Sequence, residues 1–285
     1  MMERVREKAR AELSARQSAR NSSLAFAQYT MPGYLVRPQH KLLCDKLDAV
    51  ERGEIKRLMV FMPPRHGKSE LTSKRFPAWF LGKNPDKQII TASYGATLAQ
   101  GFGRDVRNIV ASANFGALFP SVGVATDSAA RDNWHTTKGG IYTAMGVGGG
   151  LTGKGAHIAL IDDPVKDRQD AESPVIREAT WDWYRSVLRT RLMPSGAIVL
   201  VLTRWHPDDL AGRLLDEMKN GTGESWEVLS LPAVADSPDD ALHRKIGAPL
   251  WPDVFGLPEL EAIQKAVGTR EWSSLYQQRP TPGEG

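Results

Sequence analysis

The chain has 285 residues, of which 41% are hydrophobic and 25% charged, so the composition permits a packed core and excludes wholesale disorder. The net charge is +4 but uneven: residues 1–111 hold 20 Lys and Arg against 10 Asp and Glu, and residues 112–285 hold 17 against 23. The single cysteine excludes an internal disulfide, and the lack of an 18-residue apolar run argues against a membrane-spanning helix. The charge split favours a polyanionic partner, with ordinary surface variation as the alternative.

Predicted strands and helices alternate along most of the chain. Residues 1–22 are predicted to form an exposed helix or a mobile arm, and residues 38–51 a helix with one apolar face. Apolar runs predict strands at 57–62, 88–94, 141–145, 157–161, 197–203 and 226–231. Helices are predicted at 69–81, 97–112, 173–192 and from Pro207 onward, with a turn at 194–196 and a glycine-rich loop at 146–155. This alternation predicts an α/β fold with a mostly parallel central sheet flanked by helices.

The segment between the first predicted strand and the next helix matches a phosphate-binding loop. It fits G-x-x-x-x-G-K-[ST] except in the first position, and its sequence is Met62-Pro63-Pro64-Arg65-His66-Gly67-Lys68-Ser69. In such loops, backbone N–H groups hold phosphate oxygens, and Gly67 allows a close approach. Lys68 is expected to reach the β- and γ-phosphates of ATP, and the Ser69 hydroxyl to ligate Mg²⁺. The alternative is a basic helix start after a surface turn.

Two adjacent carboxylates, Asp162 and Asp163, end the apolar run 157–161. In P-loop enzymes the first acid of such a pair holds Mg²⁺, and a second can orient or deprotonate the attacking water. We therefore predict a metal ligand at Asp162 and a catalytic residue at Asp163. The alternative for Asp163 is a helix N-cap, because Pro164 suits the first helical position.

Thr203 and Arg204 end the most hydrophobic predicted strand. Ligands bind at the carboxyl ends of strands in open α/β sheets, so Thr203 is predicted to sense the γ-phosphate and pass its state to the following helix. The alternative is a strand-end threonine beside a solvent-exposed arginine. The long segment between Lys68 and Asp162 leaves room for an additional strand, Gln88–Tyr94, between the phosphate-loop strand and the acidic strand. That arrangement is typical of motor ATPases.

Taken together, these motifs make the chain resemble the large terminase subunits of tailed bacteriophages and prophages, from about Phe26 onward. The resemblance rests on four segments, Arg57–Glu70, Gly150–Ala156, Leu160–Pro164 and Thr203–His206. It implies an ATP-driven motor that packages double-stranded DNA into a procapsid in the host cytoplasm. The implied partners are DNA, the portal protein, a small terminase subunit and further copies in an assembled ring, whereas the isolated domain is expected to be a monomer.

The resemblance also assigns roles to individual residues. Catalytic roles fall on Asp163, Lys68, Arg65 and Thr203, and metal binding on Ser69 and Asp162. Arg65 either contacts the γ-phosphate or pairs with an acid, and the family often has Glu where this sequence has Asp163. ATP-binding residues are expected at Gln39, on the adenine side, and at Pro64, Arg65, His66, Gly67, Lys68, Ser69 and Glu70. The alternative for Gln39 is a plain helix-start position. A neighbouring subunit is expected to supply a cation, with Lys154, Arg104 and Arg131 as candidates.

Three segments are predicted along the chain. Residues 1–52 form an N-terminal helical arm and adenine-side segment, residues 53–232 a P-loop ATPase core, and residues 233–285 a peripheral segment or linker. The segment Leu275–Pro280 resembles the one that precedes the family's nuclease domain, for which no room follows in this sequence. Two other functions stay open: a helicase-like DNA-dependent ATPase, and a nucleotide-gated DNA-binding or assembly module with little turnover.

Overall fold

A central eight-stranded sheet with helices on both faces forms the body of the protein. The structure, a computed structural model, describes residues 1–151 and 153–281. Thr152, in the predicted glycine-rich loop, and residues 282–285, at the end of the predicted segment 233–285, lie outside the described residues. The strands are β1 (Arg57–Phe61), β2 (Gln88–Ser93), β3 (Val124–Ala129), β4 (Asn133–Thr136), β5 (Ile141–Gly146), β6 (Ala156–Asp162), β7 (Leu192–Leu202) and β8 (Glu227–Ser230).

Ten α-helices connect and cover the strands in the described part of the chain. They are α1 (Met2–Asn21), α2 (Ser23–Thr30), α3 (Pro38–Glu51), α4 (Phe76–Lys83), α5 (Ala96–Val110), α6 (Ala113–Leu118), α7 (Arg168–Glu172), α8 (Pro174–Trp183), α9 (Leu210–Lys219) and α10 (Leu257–Glu271). A π-helical turn, Glu70–Arg75, precedes α4, and another, Tyr184–Leu188, follows α8. No described helix is long and apolar enough to cross a membrane.

Both faces of the sheet are buried, as the apolar strands predict. In β1, Leu58 and Val60 join the apolar cluster beneath α3, α4 and α5, whereas Met59 and Phe61 join the cluster beneath α8 and α9. Successive side chains of a strand point to opposite faces, so one apolar run supplies two cores. Trp181 and Tyr184 are buried in the second cluster and stacked on each other.

The strand order in the sheet is β3-β4-β5-β2-β6-β7-β1-β8. From β5 to β8 every pairing is parallel, and only β3 and β4 run antiparallel to their neighbours, so the predicted fold class is confirmed. The additional strand lies elsewhere than expected: β7 separates β1 from β6 in the sheet, and β2 (predicted as 88–94) lies on the far side of β6. A parallel crossover can skip a position in the sheet, so chain order alone does not fix this neighbour.

Two local predictions are wrong. The predicted turn at 194–196 lies within β7, whose register with β6 shifts between Ala156 and Ile158, and an irregularity of this kind accommodates proline in a strand. The helix predicted from Pro207 begins at Leu210, because the Asp209 carboxylate accepts a hydrogen bond from Gly212 N–H at 2.8 Å and caps it. Helix α1 is exposed as predicted, with only Ala19 buried.

Candidate functional site

The loop after β1 adopts a conformation that leaves backbone donors available. Arg65 and Gly67 have positive φ angles of 62° and 90°. The helix that follows has its first turn closed by a hydrogen bond from Leu71 N–H to the Gly67 carbonyl at 3.2 Å. Within the described residues, the N–H groups of Gly67, Lys68 and Ser69 donate to no protein acceptor. Free N–H groups at a helix N-terminus are suited to bind phosphate oxygens.

Gly67 lies where a side chain would collide with helix α3. A Cβ at this position would lie 2.8 Å from His40 Nε2 and 3.2 Å from the Tyr34 hydroxyl, and both rings pack against each other in the interior. His40 Nε2 in turn lies 3.2 Å from the carbonyl oxygen of His66. The glycine of the motif is therefore required by packing against α3 as well as by its backbone conformation.

Gly67→Ala is expected to lower the free energy of unfolding by about 2–3 kcal/mol, the combined cost of a positive φ and of overpacking. Gly53→Ala is the matched control, since Gly53 also has a positive φ, 77°, but nothing lies within 4 Å of its added Cβ. Urea unfolding of both variants measures the difference. Equal losses of stability would show that the contact with His40 does not matter.

Lys68, Asp163 and Thr203 converge beside the loop. The Lys68 ammonium lies 3.7 Å from Asp163 Oδ2 and donates to Thr203 Oγ1 at 3.5 Å. Asp163 Oδ1 accepts from the N–H of Thr203 at 3.0 Å and from its hydroxyl at 3.3 Å. Lys68 is buried, whereas 28% of the Asp163 side chain is exposed. The cluster thus holds a cation and a carboxylate that water can reach.

Asp162 is buried directly behind the loop. Its Oδ1 accepts from the Ser69 hydroxyl at 3.2 Å, its Oδ2 accepts from the Ser73 hydroxyl, and its backbone carbonyl accepts from the Ser93 hydroxyl at 2.6 Å. Burial and the neighbouring Asp163 raise the pKa of Asp162 to about 6, and Lys68 opposes the rise. A serine hydroxyl beside a carboxylate forms the hard oxygen set that Mg²⁺ prefers, so Ser69 and Asp162 fit a metal site.

Asp163 is turned toward the loop by its backbone. Its φ of 46° is left-handed, its N–H donates to the Val201 carbonyl at 2.9 Å, and its carbonyl accepts from Tyr94 N–H at 3.0 Å. The chain bends here, which is how two successive acids both face the phosphate loop. The N-cap alternative is wrong, because the next helix, α7, begins at Arg168 and is capped by Asp167.

Beyond Thr203, the strand end is tied to helix α9 by a buried ion pair. Arg204 Nε donates to Asp209 Oδ2 at 2.8 Å, both side chains are less than 10% exposed, and the guanidinium lies over the Phe61 ring. The alternative of a solvent-exposed arginine is therefore wrong. No motif in the sequence indicated that Asp209 pairs with Arg204.

An aromatic cluster from the C-terminal part of the chain covers the other side of the loop. The His66 ring is stacked on Phe255 with ring centroids 4.5 Å apart, and Trp251 packs edge-on against His40. Burial lowers the pKa of His66 to about 4, so this ring is neutral at physiological pH. The segment 233–285, predicted as a peripheral segment or linker, thus contributes directly to the surroundings of the loop, which no sequence signal indicated.

Other predicted ATP-binding residues are placed less directly. Gln39 is fully buried next to His40, and within the described residues neither its amide nitrogen nor its amide oxygen has a hydrogen-bond partner. The Pro64 carbonyl lies 2.8 Å from His66 Nδ1, and Arg65 is exposed. The Glu70 carboxylate is held by Arg75 at 2.8 Å and Lys74 at 3.3 Å, so its side chain is already engaged.

None of the three candidate cations for a neighbouring subunit contacts this cluster within the described chain. The Lys154 ammonium donates to Thr143 Oγ1 on β5 at 3.4 Å. Arg104 and Arg131 are exposed. Each of them therefore stays a prediction that concerns another copy of the chain.

These features define a P-loop protein of the α/β class. The sheet is mostly parallel, a phosphate loop follows β1, β6 ends in two acids, and β7 lies between β1 and β6. A family model described as "Terminase large subunit, T4likevirus-type, N-terminal" matches residues 59–275. The chain belongs to this family, which confirms the resemblance found in its sequence. Comparison with curated protein sequences returned no match.

Solved structures show the same fold. The large terminase of bacteriophage HK97 is similar with a TM-score of 0.55 and 13% identity over 86% of this chain and 51% of that protein. A mutant ATPase domain of the Thermus phage P74-26 large terminase has a TM-score of 0.53 and 14% identity over 82% of this chain and 93% of that domain. The chain therefore spans about half the length of the HK97 protein.

Proposed function

We propose that this chain is the ATPase motor domain of a DNA-packaging terminase, which hydrolyses ATP to move double-stranded DNA into a procapsid. The observation that carries the proposal is the convergence of Lys68, Asp163 and Thr203 beside the Ser69–Asp162 pair. P-loop motors require this combination of a phosphate-binding cation, a metal-binding pair and a carboxylate that water can reach.

In this proposal each group acts on one part of the nucleotide. The N–H groups of the loop and the Lys68 ammonium bind phosphate oxygens, and Ser69 with Asp162 holds Mg²⁺. Bound Mg²⁺ offsets the negative charge of the phosphates. Asp163, partly exposed and fixed by Thr203, orients the attacking water and accepts its proton. Gln39, whose buried amide lacks a partner in the described chain, supplies hydrogen bonds on the adenine side.

In this proposal Thr203 couples hydrolysis to movement. It contacts both Lys68 and Asp163, and the next residue, Arg204, is ion-paired with Asp209 at the start of α9. A change at the γ-phosphate is therefore transmitted over a short distance, through packed side chains, from the end of β7 to helix α9. Arg65, exposed on the loop, is left free to contact the γ-phosphate or a neighbouring subunit.

The proposed partners follow from membership of the family. They are double-stranded DNA, the portal protein, a small terminase subunit and further copies of this chain in a ring, in the cytoplasm of a bacterial host. A neighbouring copy completes the site with a cation, for which Lys154, Arg104 and Arg131 are the candidates. The three predicted segments, 1–52, 53–232 and 233–285, are kept as the proposed domain organisation.

Release of phosphate from ATP, with and without double-stranded DNA, tests the proposed function. We expect turnover that depends on Mg²⁺. The rate of phosphate release per protein molecule should rise with protein concentration, because a second copy must supply the missing cation. Unwinding of a tailed duplex would favour the helicase-like alternative. Tight ATP binding without turnover at any protein concentration would overturn the motor proposal in favour of a nucleotide-gated binding module.

A further inference from the structure

Three serines surround Asp162, and one of them, Ser73, belongs to no known motif of the sequence. Ser69 comes from the phosphate loop, Ser73 from the π-helical turn Glu70–Arg75, and Ser93 from the end of β2. We call these three residues the serine cradle. Ser73 is fully buried, so its side chain touches neither solvent nor an incoming nucleotide.

Counting hydroxyl protons fixes the direction of the bond between Ser73 and Asp162. The Thr72 hydroxyl donates its one proton to the Lys68 carbonyl at 2.8 Å, so toward Ser73, 3.2 Å away, it can only accept. The single Ser73 proton then has two acceptors, the Thr72 hydroxyl and Asp162 Oδ2. The bond to the carboxylate is the shorter one and is charge-assisted, so the carboxylate takes the proton.

The two carboxylate oxygens of Asp162 are thereby held in different ways. Oδ1 faces Ser69, whose hydroxyl is the proposed Mg²⁺ ligand, and Oδ2 faces Ser73 in the π-helical turn. The Ser93 bond to the Asp162 carbonyl fixes the backbone at the same point. When the Ser69 hydroxyl oxygen coordinates a metal ion, the Ser73 hydroxyl still donates to Asp162 and holds that carboxylate in place.

The π-helical turn Glu70–Arg75 lies at the contact between Ser73 and Asp162. The π-helical turn begins directly after Ser69, and π-helical turns are rare and concentrate at functional sites. Ser73 lies one turn after Ser69 on the same side of the helix, since both hydroxyls reach the same carboxylate. The first two turns of the helix after the loop therefore both serve Asp162.

We infer that Ser73 is a positioning residue that orients the Asp162 carboxylate for a divalent cation at the nucleotide site. The inference rests on the proposed function, because it assumes that Ser69 and Asp162 hold Mg²⁺. Mutation of a residue that hydrogen-bonds to a metal ligand typically lowers metal affinity by about 10- to 100-fold. Ser73 therefore governs metal binding without touching the nucleotide.

The test compares Ser73→Ala with the wild-type protein, using Mn²⁺ as the probe. Mn²⁺ is titrated by electron paramagnetic resonance in the presence of a non-hydrolysable ATP analogue, and the affinity for a fluorescent ATP is measured separately in EDTA. We expect Mn²⁺ binding about ten- to a hundredfold weaker in Ser73→Ala, with the metal-free nucleotide affinity unchanged. Ser73→Thr, which keeps the hydroxyl, should restore part of the Mn²⁺ affinity.

Ser23→Ala is the matched control. Ser23 is also buried and donates to a backbone carbonyl, that of Cys44 at 3.5 Å, away from the nucleotide site. Thermal unfolding of both alanine variants shows whether they are folded. Unchanged Mn²⁺ affinity in a folded Ser73→Ala protein, or an equal loss of metal and metal-free nucleotide affinity, would overturn the inference. Absence of nucleotide-dependent Mn²⁺ binding in the wild-type protein would instead overturn the proposed function, and this inference with it.

Discussion

Replacing Lys68 with alanine is expected to lower the kcat for ATP hydrolysis by about 10²- to 10³-fold, the usual cost of removing one group that stabilises transition-state charge. Lys68 is only 7% exposed, and its ammonium contacts Asp163 and Thr203, so its charge acts in surroundings that screen it poorly. Steady-state phosphate release at saturating ATP measures the change.

Lys68→Ala is also expected to change the pH dependence of Mg²⁺ binding. Lys68 opposes the rise in the pKa of Asp162, which stands at about 6, so its removal raises that pKa further. A proton then competes with Mg²⁺ for Asp162 at neutral pH, and the pH at which Mg²⁺ binding is half lost moves upward in Lys68→Ala. Lys83→Ala is the control, because Lys83 ends α4 and pairs with Glu51. Wild-type turnover by Lys68→Ala would refute the proposed role of the loop.

The site residues that the sequence predicted well share one property: each lies at, or shortly after, the carboxyl end of an apolar strand. Lys68, Asp162 and Thr203 come after β1, at the end of β6 and after β7, and the carboxyl ends of parallel strands meet at one edge of the sheet. Finding the strands was therefore enough to bring these side chains together. The order of the strands in the sheet was not needed. The wrong prediction for the position of β2 in the sheet therefore did not affect the prediction of the site.

The residues that sequence reasoning missed make contacts between segments far apart in the chain. Phe255 stacks on His66 from a stretch rich in proline, aspartate and glycine, whose composition predicts a linker. Ser73 reaches Asp162 through a π-helical turn, and no periodicity distinguishes that turn from an α-helix. Such contacts depend on the crossover path and on local helix geometry, neither of which a pattern of apolar residues encodes.

Asp163→Asn is expected to lower kcat by about 10²- to 10⁴-fold, while the KM for ATP changes little. The amide keeps the shape of the side chain and its oxygen can still accept from Thr203, but it cannot take a proton from water. Asparagine also tolerates the left-handed backbone, φ 46°, that Asp163 adopts, so the variant should fold. Single-turnover kinetics separate the chemical step from ATP binding.

Asp167→Asn is the matched control for this substitution. Asp167 caps α7 by accepting from Asp170 N–H at 3.0 Å, and asparagine caps a helix as well as aspartate does. The control should therefore hydrolyse ATP at the wild-type rate. If Asp163→Asn kept kcat within about threefold of wild type, proton transfer to Asp163 would be excluded, because general bases contribute at least about 10²-fold. In that case the partly exposed carboxylate would serve to hold Thr203 and Lys68 in position.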